Sequence, residues 1–377
     1  MEQLGIILFA VGLGGAAYFI YGYPLLLAAL ARWHPRATHK KFEPAFVTLV
    51  LPVHNGERWI AAKINSILEL DYPRSRLQLI VVSDGSIDAT DSIATEYARA
   101  GHLEFVRIEH AGKAVALNEG IRRARGDILF FTDVRQPLRA DSLRKLVACL
   151  ADPSVGGVAG RVDFLSGTER PHIGLYWRYE RWLRRNLSRV DSLLAANCIY
   201  VVRRNLVEAA PPDTLLDDSW FPLGCVLRGY RFILEEEAIA YEYPNTLQNE
   251  FVRKVRTLAG IYQLIAVCPA LLGRSNRLRF HFVSYVLGRV LLPFLLLITL
   301  FASFSLPSAV TTTIMTLFIS SIGLAFLDLV VPGATLIKCV TSPIRTFVVL
   351  MAASLCATSI FFVPPGSLWK DAWQGES

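Results

Sequence analysis

Long stretches without charge, at both ends of the chain, most constrain what this protein can fold into. No charged residue occurs between Glu2 and Arg32, a run of 29 positions. Near the other end, 38 positions from Val290 to Leu327 and 24 positions from Thr346 to Trp369 contain no Asp, Glu, Lys or Arg. An apolar helix of about 20 residues spans the hydrocarbon core of a bilayer. These runs therefore exclude a disordered protein and disfavour a wholly soluble one.

The runs predict four membrane-spanning helices. A cleaved signal peptide has an apolar stretch of only about 7–15 residues after a basic start, so the longer first run predicts a retained helix. Pro307 divides the second run into helices near 286–305 and 309–330, and Pro364-Pro365 end the last helix. Buried core helices are the alternative, which three such runs in one chain make improbable.

The basic residues beside these runs predict their orientation. Lysines and arginines follow the first span, precede the second and separate the third from the fourth, whereas the loop between the second and third is uncharged. Cytoplasmic flanks are enriched in Lys and Arg. We therefore expect a multi-pass protein of the inner (cytoplasmic) membrane whose central domain lies in the cytoplasm. This placement accounts for much of the net charge of +7 and disfavours nucleic-acid binding.

Strand and helix patterns alternate between the apolar ends. The apolar segments FVTLVLPV, LQLIVVS, LEFVRIE and DILFFTD are separated or followed by amphipathic patterns near 57–70, 88–100, 114–125 and 140–151. Such alternation predicts an α/β domain with a mostly parallel sheet covered by helices on both faces. In sheets of this kind, ligands bind beyond the carboxyl ends of the strands.

Polar residues stand at the carboxyl ends of all four predicted strands. They are His54, Asn55, Glu57, Asp84, Lys113 and Asp133. Each by itself is more commonly a cap or turn residue, but four strand ends together indicate a ligand site. Neither GxGxxG after the first strand nor GxxxxGK[ST] is present, which disfavours a nicotinamide site and a phosphate-loop site. A strand-end acid could hold a divalent cation on a diphosphate, whose charge a lysine would also neutralise.

The chain resembles a family 2 glycosyltransferase of the GT-A, Rossmann-like fold in LVLPVHNGE, IVVSDGSIDAT, GKAVALNEGIRRARGDILFFTD and LLDDSW followed by RGYR. The resemblance covers about residues 46 to 260 and includes bacterial exopolysaccharide, cellulose and hyaluronan-type synthases. It implies inverting transfer of a hexosyl or N-acetylhexosaminyl group from a nucleotide sugar, expected to be UDP-linked, to a hydroxyl of a growing glycan or membrane lipid. The alternative is a catalytically weak nucleotide-sugar-binding scaffold subunit of a polysaccharide export complex.

The resemblance implies a donor site around the first two motifs. Asp84 would contact the uracil of the nucleotide. Glu57, one position later than the acid found in the family, is the candidate for the ribose. Pro52, His54 and Asn55 belong to the same first motif and complete this part of the predicted donor site.

The resemblance also implies a diphosphate and metal site. Lys113 would lie by the nucleotide or its phosphates. Asp133 matches the first acid of the metal-binding Asp-x-Asp motif, which holds Mg²⁺ or Mn²⁺. Arg135 stands where the second acid is expected. It either meets phosphate and partly replaces the cation, or is a surface arginine.

The base is expected in LLDDSW. Asp217 and Asp218 match a pair of acids whose second member deprotonates the acceptor hydroxyl, which implies Asp218 as the base and Asp217 as an orienting residue. The alternative is an Asp pair that caps a helix starting near Ser219.

A basic segment follows the two acids. Arg256 matches the Arg of the family's Gln-x-x-Arg-Trp motif, which would bind the donor diphosphate as a planar fork. Arg253 replaces the Gln, and Thr257 replaces the Trp, which leaves processive polymerisation undecided. A solvated basic helix face near lipid headgroups is the alternative.

The sequence thus predicts four regions: an N-terminal transmembrane helix with its basic flank at 1–37, a cytoplasmic GT-A domain at 38–260, an interfacial amphipathic segment at 261–285 and three transmembrane helices at 286–377. The segment YWRYERWLRRNLSRV has an arginine stripe roughly opposite an apolar stripe. This pattern fits a helix at the membrane surface and equally a helix packed on a protein core.

Overall fold

Two units make up the chain in the computed structural model, which describes residues 2–164, 175–243, 247–332 and 335–370. One, the sheet unit, consists of His34–Glu169 and Arg184–Pro244. The other, the helical unit, consists of Met1–Trp33, Arg170–Leu183 and Asn245–Ser377.

The sheet unit is built on seven strands. In chain order they are β1 Val47–Val53, β2 Leu77–Asp84, β3 Glu104–Ile108, β4 Ile128–Thr132, β5 Val155–Phe164, β6 Ile199–Arg203 and β7 Arg231–Glu242. Their order across the sheet is β3-β2-β1-β4-β6-β5-β7. The first four strands are parallel to one another, β6 runs antiparallel to both β4 and β5, and β7 is parallel to β5. The predicted α/β domain with a mostly parallel sheet is therefore confirmed.

Eleven principal helices are present in the described parts of the chain. They are α1 Glu2–Trp33, α2 Glu57–Leu68, α3 Thr90–Arg99, α4 Lys113–Arg123, α5 Ser142–Cys149, α6 Leu175–Val190, α7 Asp217–Leu227, α8 Leu247–Val267, α9 Arg279–Ser303, α10 Ser308–Val330 and α11 Lys338–Phe361. The helices α2 to α5 begin and end within two residues of the predicted limits.

The core of the sheet unit lies between the strands and the apolar faces of their helices. β1 and β4 are buried along their whole length, as expected for central strands covered on both faces. Ile60, Ile64 and Ile67 form the buried stripe of α2 and belong to the same core. Burying one such side chain contributes about 1.5–3 kcal/mol, and this contribution fixes the helix against the strand ends.

Four helices of the helical unit, α1, α9, α10 and α11, are long and apolar enough to cross a membrane. Their number agrees with the sequence prediction. α9 and α11 begin at Arg279 and Lys338, several residues before the charge-free runs, since a helix can continue through polar residues that lie outside a hydrocarbon layer.

Glycine allows α1 and α9 to approach each other closely. A Cβ atom at Gly12 would lie 2.5 Å from Thr299 Oγ1 and 2.8 Å from the carbonyl oxygen of Leu295. A Cβ at Gly5 would lie 2.4 Å from that of Ser305. Small residues at such contacts are typical of helices that pack within a membrane.

A buried acid links α10 to α11. Asp328 forms ion pairs with Arg345 at 2.8 Å and Lys338 at 3.3 Å, and it accepts hydrogen bonds from Thr341 and Ser342 at 2.6 and 3.1 Å. An ionisable side chain in an apolar helix needs such partners. The cluster therefore fixes the register of this helix pair.

The amphipathic pattern at 175–190 forms the single helix α6. Leu183 and Leu187 of its apolar stripe are buried, whereas Trp177 and Tyr179 are partly exposed. Glu180 forms an ion pair with Arg289 of α9. Burial of the stripe is compatible with both interpretations of the sequence, and the interfacial position stays a prediction.

Candidate active site

The strand register brings the predicted polar residues to one edge of the sheet. Val53 at the end of β1 pairs with Ser83, and Asp84 at the end of β2 pairs with Ile108 at the end of β3. β4 also runs parallel to β1, so its carboxyl end points the same way. The loops that follow β1, β2, β3 and β4 therefore meet beyond this edge.

Asp84 is held by the loop that follows β3. Its side chain is buried, and its carboxylate accepts hydrogen bonds from the backbone N–H groups of Ala111 at 2.7 Å and Gly112 at 3.0 Å. Gly85, with φ of +63°, allows the close approach, since a Cβ there would lie 2.7 Å from the backbone nitrogen of His110. The carboxylate is thus oriented before any ligand binds.

Two histidines stack beside this carboxylate. The rings of His54 and His110 have centroids 4.4 Å apart and planes 30° apart. Nδ1 of His54 lies 2.6 Å from the carbonyl oxygen of Asp84, and Nδ1 of His110 lies 3.1 Å from its carboxylate. One potential ligand atom from each of the three residues lies within 4.8 Å of the others, so the group could hold a metal ion. Sequence reasoning missed His110, although it directly precedes the Ala-Gly-Lys of the third loop.

Asn55 and Glu57 join two neighbouring loops. Asn55 has a φ of +47°, and its Oδ1 accepts the N–H of Ile87 at 3.0 Å. Oε2 of Glu57 accepts the N–H of Ala89 at 2.9 Å. Pro52 lies within buried β1. The side chains of Asn55 and Glu57 thus hold the loops after β1 and β2 together.

Lys113 lies between two carboxylates. Its Nζ is 2.9 Å from Oδ1 of Asp133 and 3.0 Å from Oδ2 of Asp217. Burial alone would lower the pKa of Lys113, but the two carboxylates more than offset this effect and raise the pKa above its ordinary value. Lys113, the first residue of α4, therefore stays positively charged. Its two ion pairs link the end of β4 to the start of α7.

Asp218 has an unusual environment for a carboxyl group. Desolvation by burial and the neighbouring charge of Asp217 raise its pKa to about 7, although Lys113 acts in the opposite direction. α7 begins at Asp217, two residues before the predicted start, and Asp217 binds Lys113 rather than capping the helix. A carboxyl group with a pKa near neutrality is suited to proton transfer.

Tyr200 lies behind these acids and was not singled out in the sequence. Its ring stacks on Phe131 at a centroid distance of 4.9 Å, and its hydroxyl is buried without a hydrogen-bond partner among the described residues. Burial and the charges of Asp217 and Asp218 raise its pKa well above the ordinary value. Tyr200 is therefore a neutral side chain.

Lys63 was also missed, and it supports the loop that carries Asp133. This fully buried lysine donates hydrogen bonds to Oγ1 of Thr132 at 2.6 Å and to the carbonyl oxygen of Gln136 at 2.5 Å. Burial lowers its pKa to about 7. A lysine within the apolar stripe of α2 was the signal in the sequence.

Arg135 and the two arginines of the basic segment have different surroundings. Arg135 lies over the ring of Trp59, with its guanidinium carbon 5.5 Å from the ring centroid. Arg253 and Arg256 lie on α8, in the helical unit, and Arg256 lines a cavity there. The acids and Lys113 that converge at the sheet edge all belong to the sheet unit.

Known proteins resemble the sheet unit in sequence. Residues 48–205 match the family described as glycosyl transferase family 2. Over 121 residues, 32% of this chain, it is 32% identical to the glycosyltransferase AglE of Haloferax volcanii, of which the match covers 40%. It is 28% identical to the poly-beta-1,6-N-acetyl-D-glucosamine synthase of Staphylococcus epidermidis, over 33% of this chain and 30% of that protein. The chain thus matches less than half the length of these two relatives.

A solved structure shares the fold over almost the whole chain. It is the mannosyltransferase PcManGT from Pyrobaculum calidifontis in complex with GDP-Man and Mn²⁺, with a TM-score of 0.73 and 22% identity. The match covers 98% of this chain and 99% of the other. The family match and this fold agree with the predicted GT-A architecture. Residues 48–205 are thus similar to family 2 glycosyltransferases in sequence, and the chain shares their fold.

Proposed function

We propose that this chain, which carries a family 2 glycosyltransferase domain, is an inverting membrane glycosyltransferase. It would transfer a hexosyl or N-acetylhexosaminyl group from a nucleotide sugar to a hydroxyl of a glycan or lipid. The observation that carries the proposal is the triad of Asp133, Lys113 and Asp217, joined by ion pairs of 2.9 and 3.0 Å directly beside Asp218. This arrangement combines a cation for phosphate with a carboxyl group for proton transfer.

The nucleotide would bind at the Asp84 end of the site. The oriented carboxylate can accept an N–H from the edge of a base, and the stacked rings of His54 and His110 offer a flat surface beside it. Both uracil and guanine present a ring N–H of this kind. We propose a UDP-linked donor from the sequence resemblance, and the binding of GDP-Man by the structural relative makes GDP-linked donors the necessary comparison.

In the proposed reaction, Asp218 removes the proton from the acceptor hydroxyl as its oxygen attacks the anomeric carbon. The new C–O bond forms while the bond from the anomeric carbon to the diphosphate oxygen breaks on the opposite side, which inverts the configuration. Lys113 and Arg135 would stabilise the negative charge that develops on the diphosphate. The resemblance assigns a further contact to Arg253 and Arg256.

A divalent cation, Mg²⁺ or Mn²⁺, is proposed at Asp133. The residues present fit a hard cation in part, because such ions prefer oxygen ligands and the carboxylates of Asp133 and Asp217 lie on either side of Lys113. Arg135 occupies the position of the second motif acid. When bound, the cation would supply additional positive charge to the diphosphate. Chelation with EDTA followed by readdition of Mg²⁺ or Mn²⁺ tests this assignment.

The membrane part of the proposal rests on α1, α9, α10 and α11 and on the basic residues beside the apolar runs. We propose that the catalytic domain lies on the cytoplasmic face of the inner membrane, where nucleotide sugars are available. Labelling of single cysteines with a membrane-impermeant reagent, in intact and in opened cells, tests this orientation.

Turnover of radiolabelled UDP- and GDP-sugars by the purified full chain tests the reaction. Membrane lipids serve as acceptors, mass analysis identifies the product, and NMR of its anomeric proton establishes inversion or retention. Asp218→Asn is expected to lower turnover by about 10²–10⁴-fold, the usual contribution of a general base, while donor binding persists. Asp213→Asn, which replaces an exposed acid in the loop before α7, is the matched control.

A scaffold subunit predicts a different outcome. Its wild-type chain would bind the nucleotide sugar without turnover, and Asp218→Asn would change nothing. If the wild type transfers sugar and Asp218→Asn is equally active, Asp218 is not the base.

A further inference from the structure

The ends of β1, β2 and β3 bring together three side chains with the composition of a metal site. His54 follows β1, Asp84 ends β2 and His110 follows β3. One potential ligand atom of each lies within 4.8 Å of the others, and no other three His, Cys, Asp or Glu residues in the described parts of the chain are arranged in this way. Asp84 is buried, whereas both histidines are exposed, so an ion can enter from the solvent.

Both imidazole rings turn the same nitrogen toward Asp84. Nδ1 of His54 lies 2.6 Å from its carbonyl oxygen, and Nδ1 of His110 lies 3.2 Å from the same oxygen and 3.1 Å from the carboxylate. Without a metal ion, these nitrogens carry the protons, because a carbonyl oxygen and a carboxylate only accept hydrogen bonds. A neutral histidine can carry its proton on Nε2 instead, which leaves the lone pair of Nδ1 for a metal ion.

The spacing of these atoms needs little adjustment to hold an ion. A tetrahedral zinc ion with ligands at about 2.0–2.2 Å keeps the ligand atoms roughly 3.3–3.6 Å apart. Nδ1 of His110 and the Asp84 carboxylate are already 3.1 Å apart, and the exposed side chain of His54 can rotate toward the same point. The N–H groups of Ala111 and Gly112 hold the carboxylate. One ligand is therefore fixed, and the other two can adapt to the ion.

The composition of the group determines which ions it prefers. Imidazole nitrogens suit Zn²⁺ and Ni²⁺, whereas Mg²⁺ prefers oxygen ligands and keeps much of its water. Two histidines and one carboxylate also leave a coordination position open for water. These ligands differ from those proposed for the cation at Asp133, which are carboxylate oxygens.

We infer that His54, Asp84 and His110 bind a Zn²⁺-class ion at a second metal site, and that the bound ion excludes the nucleotide. The ion occupies the carboxylate that is proposed to accept an N–H from the base. It also turns the two rings out of the stacked arrangement, with planes 30° apart, that is proposed to lie beside the base. Zinc is therefore expected to inhibit the chain by competition with the donor.

The two parts of this inference have different premises. Binding of the ion depends only on the three side chains and can be measured without any transfer of sugar. Exclusion of the nucleotide rests on the proposed function, which places the base at Asp84. The experiments therefore measure the ion first and the nucleotide second.

Binding of the ion is tested with Zn²⁺ and Co²⁺ alone. The purified full chain in uncharged micelles is treated with EDTA, separated from it and titrated with Zn²⁺ in a calorimeter. Titration with Co²⁺ should give the visible bands of nitrogen and oxygen ligands without the intense near-ultraviolet band of a thiolate, which excludes the cysteines as ligands. Excess Mg²⁺ should not displace either ion.

Substitution of each histidine tests the assignment. His54→Gln and His110→Gln should each weaken Zn²⁺ binding by more than tenfold, since loss of a mere hydrogen-bonding partner of a ligand already costs about 10- to 100-fold. His102→Gln, which replaces an exposed histidine before β3, is the matched control and should bind Zn²⁺ as the wild type does. All three positions are exposed, and an unchanged Tm shows that each variant is folded.

Exclusion of the nucleotide is tested by the Kd for UDP and for GDP, with free Zn²⁺ fixed by a metal buffer and without it. Zinc should raise the Kd at least tenfold in the wild type and in His102→Gln. The Kd of His110→Gln should change much less. Zinc also binds diphosphates in solution, but this effect is the same for every variant, so the difference between variants reports the site.

Three results would overturn the inference. The first is Zn²⁺ binding that is equally strong in the wild type, His54→Gln and His110→Gln. The second is displacement of Zn²⁺ by Mg²⁺ at similar concentrations. The third is an equal effect of zinc on the nucleotide Kd of the wild type and His110→Gln. If the chain bound Zn²⁺ through the two histidines but bound neither UDP nor GDP, the metal site would be confirmed and the proposed donor site rejected.

Discussion

Nζ of Lys113 and Oδ2 of Asp217 are 3.0 Å apart, although 104 positions separate them in the chain. The same ammonium group is 2.9 Å from Asp133, so one cation joins the first turn of α4, the end of β4 and the first turn of α7. Its charge remains fixed because the two carboxylates raise its pKa. This contact makes separate sheet-edge loops into one site.

Replacing that cation is expected to weaken donor binding. Lys113→Met should raise the Kd for the nucleotide sugar by roughly 10- to 100-fold, since a hydrogen bond to a charged group contributes about 1.5–3 kcal/mol. Titration calorimetry with donor measures the change. Lys145→Met is the control. It removes a lysine of α5 that is paired with Asp141 and Glu237, and it should bind the nucleotide sugar as the wild type does. Equal affinity of both variants would contradict this role of Lys113.

The rate of transfer should rise with pH up to about 7. The pKa of Asp218 is raised to about 7, chiefly by desolvation, so its basic form is lost as pH falls below this value. We expect kcat/KM to fall about tenfold per pH unit below that point and to be level above it. Asp218→Asn should remove this dependence from the residual rate. Lys63→Gln should retain it, which excludes Lys63, whose pKa is also lowered to about 7.

Lys63 should make stability depend on pH. Its pKa is lowered from 10.5 to about 7 by burial, so between these values the unfolded chain binds more protons than the folded chain. The free energy of unfolding must therefore rise with pH in this range. Relative to Lys63→Met, the wild type should gain stability from pH 7 to 9.5 in denaturant titrations.

Lys63→Met should also disturb the Asp133 loop. The hydroxyl of Thr132 and the carbonyl of Gln136 lose their donor, at a cost of about 1–3 kcal/mol for each buried group left without a partner. We expect Lys63→Met to weaken binding of the nucleotide sugar. Lys63→Gln, which keeps a side-chain N–H group, is expected to restore part of this affinity. If the free energy of unfolding changed with pH equally in the wild type and in Lys63→Met, the low pKa of Lys63 would be contradicted.

Asp328 should stabilise the α10–α11 pair. Asp328→Asn removes the charge that faces Arg345 and Lys338 and leaves two partly buried cations close together. Breaking a buried ion pair in this way costs about 3–5 kcal/mol. Thermal unfolding in micelles should show a clear decrease in Tm. Ser342→Ala, which removes one weaker hydrogen bond of the same cluster, should have a much smaller effect, and similar values for both variants would argue against the ionic contribution.

Much of the sheet-edge site could be predicted because parallel strands impose a common direction. Once LVLPV and LQLIVVS are parallel neighbours, the residues that follow them must meet at one edge, and Asp84 could be placed beside the first loop. His110 was missed because its importance comes from stacking on His54, a contact that depends on the exact course of two loops. Lys63 was missed because helical periodicity alone does not reveal the partner of a buried amine.

The sequence by itself determined the alternating sheet, the four apolar spans and the positions of the strand-end acids, because periodicity and charge act locally along the chain. The tertiary structure alone decided that Lys113 bridges Asp133 and Asp217 and that Asp218 is desolvated enough to titrate near neutrality. Those properties depend on distances and solvent exclusion between segments far apart in the chain, which no local pattern specifies.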